Sequence, residues 1–115
     1  MAYMLLIVEP QGQRQTRSSA DGHALFERML GYTRDLQARG VLLASNALKS
    51  ESVRLNMRAG KPNVIDGPFT ESKEFIGGFF LLDCATREQA LALAEQCPAA
   101  EWASIEVREV GPCYE

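Results

Sequence analysis

The segment Asp66-Gly67-Pro68-Phe69-Thr70-Glu71-Ser72-Lys73-Glu74-Phe75-Ile76-Gly77-Gly78-Phe79-Phe80 joins a tight turn, a charge cluster and an apolar strand. Gly67 permits backbone angles closed to other residues, while Pro68 fixes φ and removes an N–H donor. Asp66, ahead of them, can accept hydrogen bonds from the backbone of the turn it opens. Past the charges, Phe75 to Asp83 reads as a strand with Phe79 and Leu81 on one face and Phe80 and Leu82 on the other. Gly77 and Gly78 at its entry predict a bulge, or the close approach of another group to the backbone. A turn, a carboxylate, a lysine and a glycine pair would suit the rim of a small-molecule site. The competing reading is a hairpin connection with a solvated charge cluster.

Upstream of that segment, Val53 to Arg58 alternates cleanly, with Arg54, Asn56 and Arg58 on one face. Ala59-Gly60-Lys61-Pro62 predicts a hairpin turn, and Asn63 to Asp66 a short returning strand. Val41 to Leu48 is expected to be a further strand. Ahead of it a helix starts near Ser19 or Asp21, either of which can cap it. Leu25, Phe26, Met29, Leu30, Thr33 and Leu36 recur at helical spacing as its buried stripe. Gly31 within the helix hints at close packing, Asp35 and Arg39 are spaced to pair, and Gly40 closes it. Tyr3 to Val8 is an apolar strand presenting Tyr3, Leu5 and Ile7 on one side and Met4, Leu6 and Val8 on the other. The polar stretch from Gln11 to Ser19 reads as a loop. Downstream, Thr86-Arg87-Glu88-Gln89 has capping-box spacing. Ala90, Leu93, Ala94 and Cys97 form the second helix's stripe, Pro98 stops it, and Trp102 to Val110 is the last strand.

The order is β-α-β, a β-hairpin, then β-α-β, an α+β chain. Two helices can cover one face of a sheet, yet the strands at Tyr3–Val8 and Phe79–Leu82 are apolar on both. An uncovered apolar face marks an interface, which predicts a homodimer packed sheet to sheet. The 115 residues fit one domain, 1–115. A formal charge of −3 argues against a nucleic-acid partner. No run is long enough to span a membrane, and Met4 to Val8 is too short for a secretory signal core. A cytoplasmic protein without membrane contact is therefore expected. Cys84, Cys97 and Cys113 fit no metal-ligand spacing and are expected to be reduced thiols, so neither metal nor cofactor is anticipated.

Asp66-Gly67-Pro68-Phe69, followed by Glu71, Lys73, Glu74 and Gly77-Gly78-Phe79, resembles the motif that names the DGPF-domain proteins of the YCII-related family. Tyr3-Met4-Leu5-Leu6-Ile7 and Ile105-Glu106-Val107-Arg108 resemble the ends of the same family. The resemblance implies a ferredoxin-like fold, a dimeric α+β barrel with an antiparallel sheet and two main helices. It also implies bacterial proteins that often occur with extracytoplasmic-function sigma factors and have no settled biochemical function.

Among individual residues, Asp66 is the leading candidate for a general acid or base, against the alternative that it only organises the turn. His23, the single histidine, lies in the first turn of the first helix on the same face as Glu27. The YCII branch is thought to use a His–Asp pair, which implies for His23 a role beside Asp66; the alternative is an exposed residue without one. Lys73, Arg54 and Arg58 are candidate anion-binding residues, and Gly77 and Gly78 candidate backbone contacts to a ligand. The glycine pair lacks the helix that follows a phosphate loop, and no nucleophile elbow or redox motif is present. Two functional classes follow. One is a non-catalytic small-ligand-binding or regulatory module, linked through the resemblance to a sigma factor. The other is a cofactor-independent enzyme in which Asp66 acts with His23.

Overall fold

The computed structural model describes residues 1–114 apart from 68, 70 and 71, so Pro68, Thr70 and Glu71 of the motif lie outside the described residues. The chain runs through β1 (Ala2–Pro10), α1 (Ser19–Ala38), β2 (Leu42–Ala47), β3 (Val53–Arg58), β4 (Lys61–Asp66), β5 (Glu74–Asp83), α2 (Arg87–Glu95) and β6 (Ser104–Glu109). Short 3₁₀ helices occupy Arg14–Thr16 and Pro98–Glu101. The main sheet is antiparallel in the order β2-β5-β1-β6, with β3 and β4 forming a separate two-stranded ribbon.

The two most apolar strands, β1 and β5, take the interior positions. Tyr3 faces Leu82 across their ladder and Leu5 faces Phe80, and these side chains are buried under the helices. Tyr32 and Leu36 of α1, with Ala90, Leu93 and Ala94 of α2, complete this core. Tyr32 binds the layers together: its hydroxyl donates to the Leu93 carbonyl at 2.7 Å, and its ring meets Phe80 edge-on at 5.2 Å. Burial pushes the Tyr32 hydroxyl above the usual tyrosine range. On the opposite face Met4, Leu6 and Val8 are only half-buried, and Ile76 is 40% exposed. Both helices thus cover one face of the sheet, and the other is apolar and open in the single chain.

Local rules account for most element ends. The Ser18 hydroxyl accepts from Asp21 N–H at 3.1 Å, placing the α1 cap one residue earlier than expected. Asp35 and Arg39 pair at 3.2 Å on its exposed side. Thr86 caps α2 through Gln89 N–H, whereas the Gln89 side chain accepts from Ala85 N–H at 2.8 Å, just outside the cap. The hairpin turn is tighter than its sequence suggested. Ala59 and Gly60 alone form it, with φ of 50° and 75°, so Lys61 and Pro62 already belong to β4. Such a turn matches the twist of the paired strands. Proline is tolerated there because, among the described residues, the ribbon has no third strand.

Other expectations need correction. The stretch from Gln11 to Ser19 is not wholly irregular, since it contains the Arg14–Thr16 turn of helix. Trp102 and Ala103 precede β6 rather than opening it. Of the expected α1 stripe only Leu36 is buried; Leu25, Met29, Leu30 and Thr33 are half-buried, and Phe26 is 51% exposed. Tyr32 takes the second core position, and the remaining apolar residues border a groove instead. Gly31 is exposed with nothing within 4 Å of where a Cβ would stand, so close packing does not explain it. Cys84 and Cys97 are buried, which raises both thiols, and Cys113 is exposed.

Leu5→Ala should lower stability by about 2–5 kcal/mol by leaving a cavity in the core. Thr86→Ala should cost only about 1 kcal/mol through the lost cap. Urea denaturation of the two variants checks the order.

Candidate functional site: a cavity beside a buried charge pair

Strand alternation continues one step past the core. Glu9 follows Tyr3, Leu5 and Ile7 at a spacing of two and shares their face, where it is 5% exposed. A carboxylate removed from water needs partners. Arg14, delivered by the first 3₁₀ helix, supplies them: Nε donates to Glu9 Oε1 at 3.0 Å and Nη2 to Oε2 at 2.6 Å. The same guanidinium donates through Nη1 to the Leu48 carbonyl at 2.7 Å and through Nη2 to the Gly77 carbonyl at 3.2 Å. It also packs over the Phe75 ring at 5.0 Å.

Space for this pair comes from the glycines. Ile7 faces Gly78 while Val8 faces Ile76, so Gly77 is the extra residue of a bulge in β5. A Cβ on Gly77 would lie 1.5 Å from Glu9 Oε2, and one on Gly78 would lie 3.0 Å from the Asn46 carbonyl. Bulge and close approach, posed as alternatives from the sequence, occur together.

Glu9, Arg14, Gly77 and Gly78 border a cavity of about 630 Å³ between α1 and the sheet. Leu25, Phe26, Met29 and Leu30 of α1 wall it on one side and Trp102 closes another. Trp102 is itself held, its carbonyl accepting from the Gln13 side chain at 2.9 Å. Arg17 and Arg28 approach its ring at 6.0 and 5.5 Å. Arg28 also pairs with Glu101, whose carboxyl that bond holds below the usual range. A second hollow of about 390 Å³ lies where the β3–β4 ribbon meets the open sheet face, bordered by Val8, Ile76, Arg54, Phe69 and Ser72. There the Arg54 guanidinium stacks 3.7 Å from the Phe69 ring centroid and donates to the Ser72 hydroxyl at 3.3 Å.

The residues singled out from the sequence are therefore dispersed. Gly77 and Gly78 meet at the first cavity and Arg54 at the second. Asp66 ends β4 opposite Val53, is exposed and lines neither. His23 is exposed and also lines neither, although Gly22 beside it borders the first cavity. Lys73 is exposed, its carbonyl accepting from Gln11 N–H at 2.8 Å, and Arg58 donates to the adjacent Met57 carbonyl at 2.9 Å. Glu9 and Arg14 went unnoticed in the sequence. The signal was an acid standing in register with an apolar alternation. Among the described residues no group of three or more His, Cys, Asp or Glu is placed to hold a metal ion. No helix there is long and apolar enough to cross a membrane.

Two helices on one face of an antiparallel sheet, joined in this order, define an α+β protein of ferredoxin-like fold. The family model of the YCII-related domain matches residues 1–113, and the chain belongs to the YCII-related family. An uncharacterized protein of Rhizobium meliloti (strain 1021) is 45% identical over 56 residues, which are 47% of this chain and 45% of the relative. The match thus takes in less than half of that relative's length. Among solved structures, the 5-chloro-2-hydroxyhydroquinone dehydrochlorinase of Burkholderia phenoliruptrix AC1100, in complex with 2,5-dihydroxybenzoquinone, aligns with a TM-score of 0.56. The alignment covers 96% of this chain and 94% of that one at 17% sequence identity, a likeness of fold.

Gly77→Ala should force Glu9 away from Arg14, whose side chain is 31% exposed, and destabilise the protein by about 1–3 kcal/mol, the cost of leaving one buried polar group without its partner. Gly22→Ala, with open space around its Cβ position, should not. Urea midpoints of the two variants compare them.

Proposed function

We propose that this protein is a small-molecule-binding, regulatory module whose ligand occupies the cavity of about 630 Å³ between α1 and the sheet. The observation that carries the reading is the cavity's build. Its volume lies within the roughly 300–1,000 Å³ of ligand sites, and its walls are largely apolar with a few fixed polar groups. The groups that shape it come from β1, β5 and the first 3₁₀ helix, locked by the hydrogen bonds of Arg14. A similarly folded protein in complex with 2,5-dihydroxybenzoquinone supports a small-molecule role for this architecture. The regulatory part rests on the resemblance to proteins found beside sigma factors. The alternative, an enzyme using Asp66 and His23, gains no support from their exposed side chains, neither of which lines the cavity.

The proposal takes the working unit to be a homodimer in the cytoplasm. The open sheet face of Met4, Leu6 and Val8 supports the first part. So does a radius of gyration of 16.1 Å, against about 13 Å for a compact chain of this length. Free Cys84, Cys97 and Cys113 support the second.

In a thermal-shift screen of metabolites, a true ligand should stabilise the protein by about 2.7 kcal/mol at a hundredfold excess over Kd. Leu30→Trp, which fills the cavity, should remove that shift; compounds that shift both proteins equally would refute the site. Sedimentation equilibrium at micromolar concentration should give twice the chain mass, and Leu6→Lys on the open face should return it to the single-chain mass. A monomeric wild type would end the dimer proposal.

A further inference from the structure

We infer that the cavity selects an apolar molecule carrying a hydroxyl or N–H group, and that this group donates a hydrogen bond to Glu9. The inference rests on the cavity reading above and adds the chemical class of the ligand. It follows from counting donors and acceptors. A guanidinium has five N–H groups. Four of those on Arg14 are engaged by Glu9 Oε1, Glu9 Oε2, the Leu48 carbonyl and the Gly77 carbonyl. A carboxylate has about four acceptor sites. Arg14 occupies one on each Glu9 oxygen, so acceptor capacity remains where donor capacity is nearly used up. Glu9 Oε2 is pressed against Gly77, where a Cβ would come within 1.5 Å.

Thr33 leans the same way, whereas Arg17, over the Trp102 ring at 6.0 Å, is a second cation on the wall. Thr33 borders the cavity, but its hydroxyl proton goes to the Met29 carbonyl at 2.9 Å, so it too presents lone pairs. Among the described residues, Glu9 is the one carboxylate on the cavity wall. A ligand carboxylate there would meet Glu9 as a like charge, and Arg14 has a single N–H left for it. A ligand donor would instead complete a charge-assisted bond in a place largely shielded from water. The apolar walls from Leu25, Met29 and Leu30 supply the affinity, and Glu9 the selectivity.

Three probes that share a body and differ in one group test this: para-propylphenol, para-propylanisole and para-propylbenzoate, titrated into wild-type protein by calorimetry and ligand-observed NMR. The phenol should bind, and the ether and the benzoate should each bind about tenfold more weakly or worse, the effect of one hydrogen bond to a charged acceptor. Glu9→Gln, checked for native circular dichroism, should narrow the gap between phenol and ether. Leu30→Trp should abolish binding of the phenol. Equal binding of phenol and ether, or tightest binding of the benzoate, overturns the assigned class and leaves the cavity standing. If no probe binds wild type, or Leu30→Trp binds the phenol undiminished, the cavity reading itself fails and takes this inference with it.

Discussion

Glu9 stands where the alternation of β1 calls for an apolar side chain, and the cost of dehydrating its carboxylate governs that end of the molecule. Taking one ion out of water costs several kcal/mol even after relaxation, and mutual attraction offsets this only with good geometry and filled hydrogen bonds. Arg14 meets both conditions, with two bonds to the carboxylate and two to backbone carbonyls. Each condition constrains the chain elsewhere. The segment after β1 coils so that Arg14 turns back, and β5 takes on an extra residue that can only be glycine. Leu48, just past β2, offers its carbonyl instead of leaving it to water. A single buried charge thus ties together β1, β5, the end of β2 and the first 3₁₀ helix.

The same arrangement explains why the first helix stands away from the sheet at its start. Near its C-terminal end Tyr32 and Leu36 pack into the core, whereas Leu25 and Phe26 nearer the start border open space. Gly77 and Gly78 place no side chains beneath them, and the charge pair occupies the strand ends. The result is a hollow with a polar corner at one end of an otherwise close-packed layer. Among the described residues the opposite sheet face has no such layer, and the β3–β4 ribbon leaves the body with Val53, Leu55 and Met57 exposed.

Much of the fold was legible because it follows short-range rules. The capping residues of α2, the alternation of β3, the Asp35–Arg39 pair and the stripe of Ala90, Leu93 and Ala94 depend on neighbours within about one turn or one strand, whereas Cys97, expected on the same stripe, is buried just beyond the end of α2. The site was less legible. Gly77 and Gly78 were recognised as positions of close approach, but not what approaches them, because Glu9 lies far away along the chain. Asp66 and His23 drew notice as residue types suited to acid–base chemistry, yet residue type carries no information about which hollow a side chain borders. The α1 stripe was read as buried since helical periodicity marks an apolar face, whether that face meets a packed core or a groove.

By itself the sequence determined the element order, the strand faces and the surplus of apolar surface over what two helices can cover, since each depends on periodicity and composition. Only the tertiary structure decided that the acid continuing β1 would be buried, that a bulge would seat it, and that a cavity would open beside it. Those outcomes turn on which strand lies next to which and in what register, and pairing across dozens of residues leaves no local imprint on the chain.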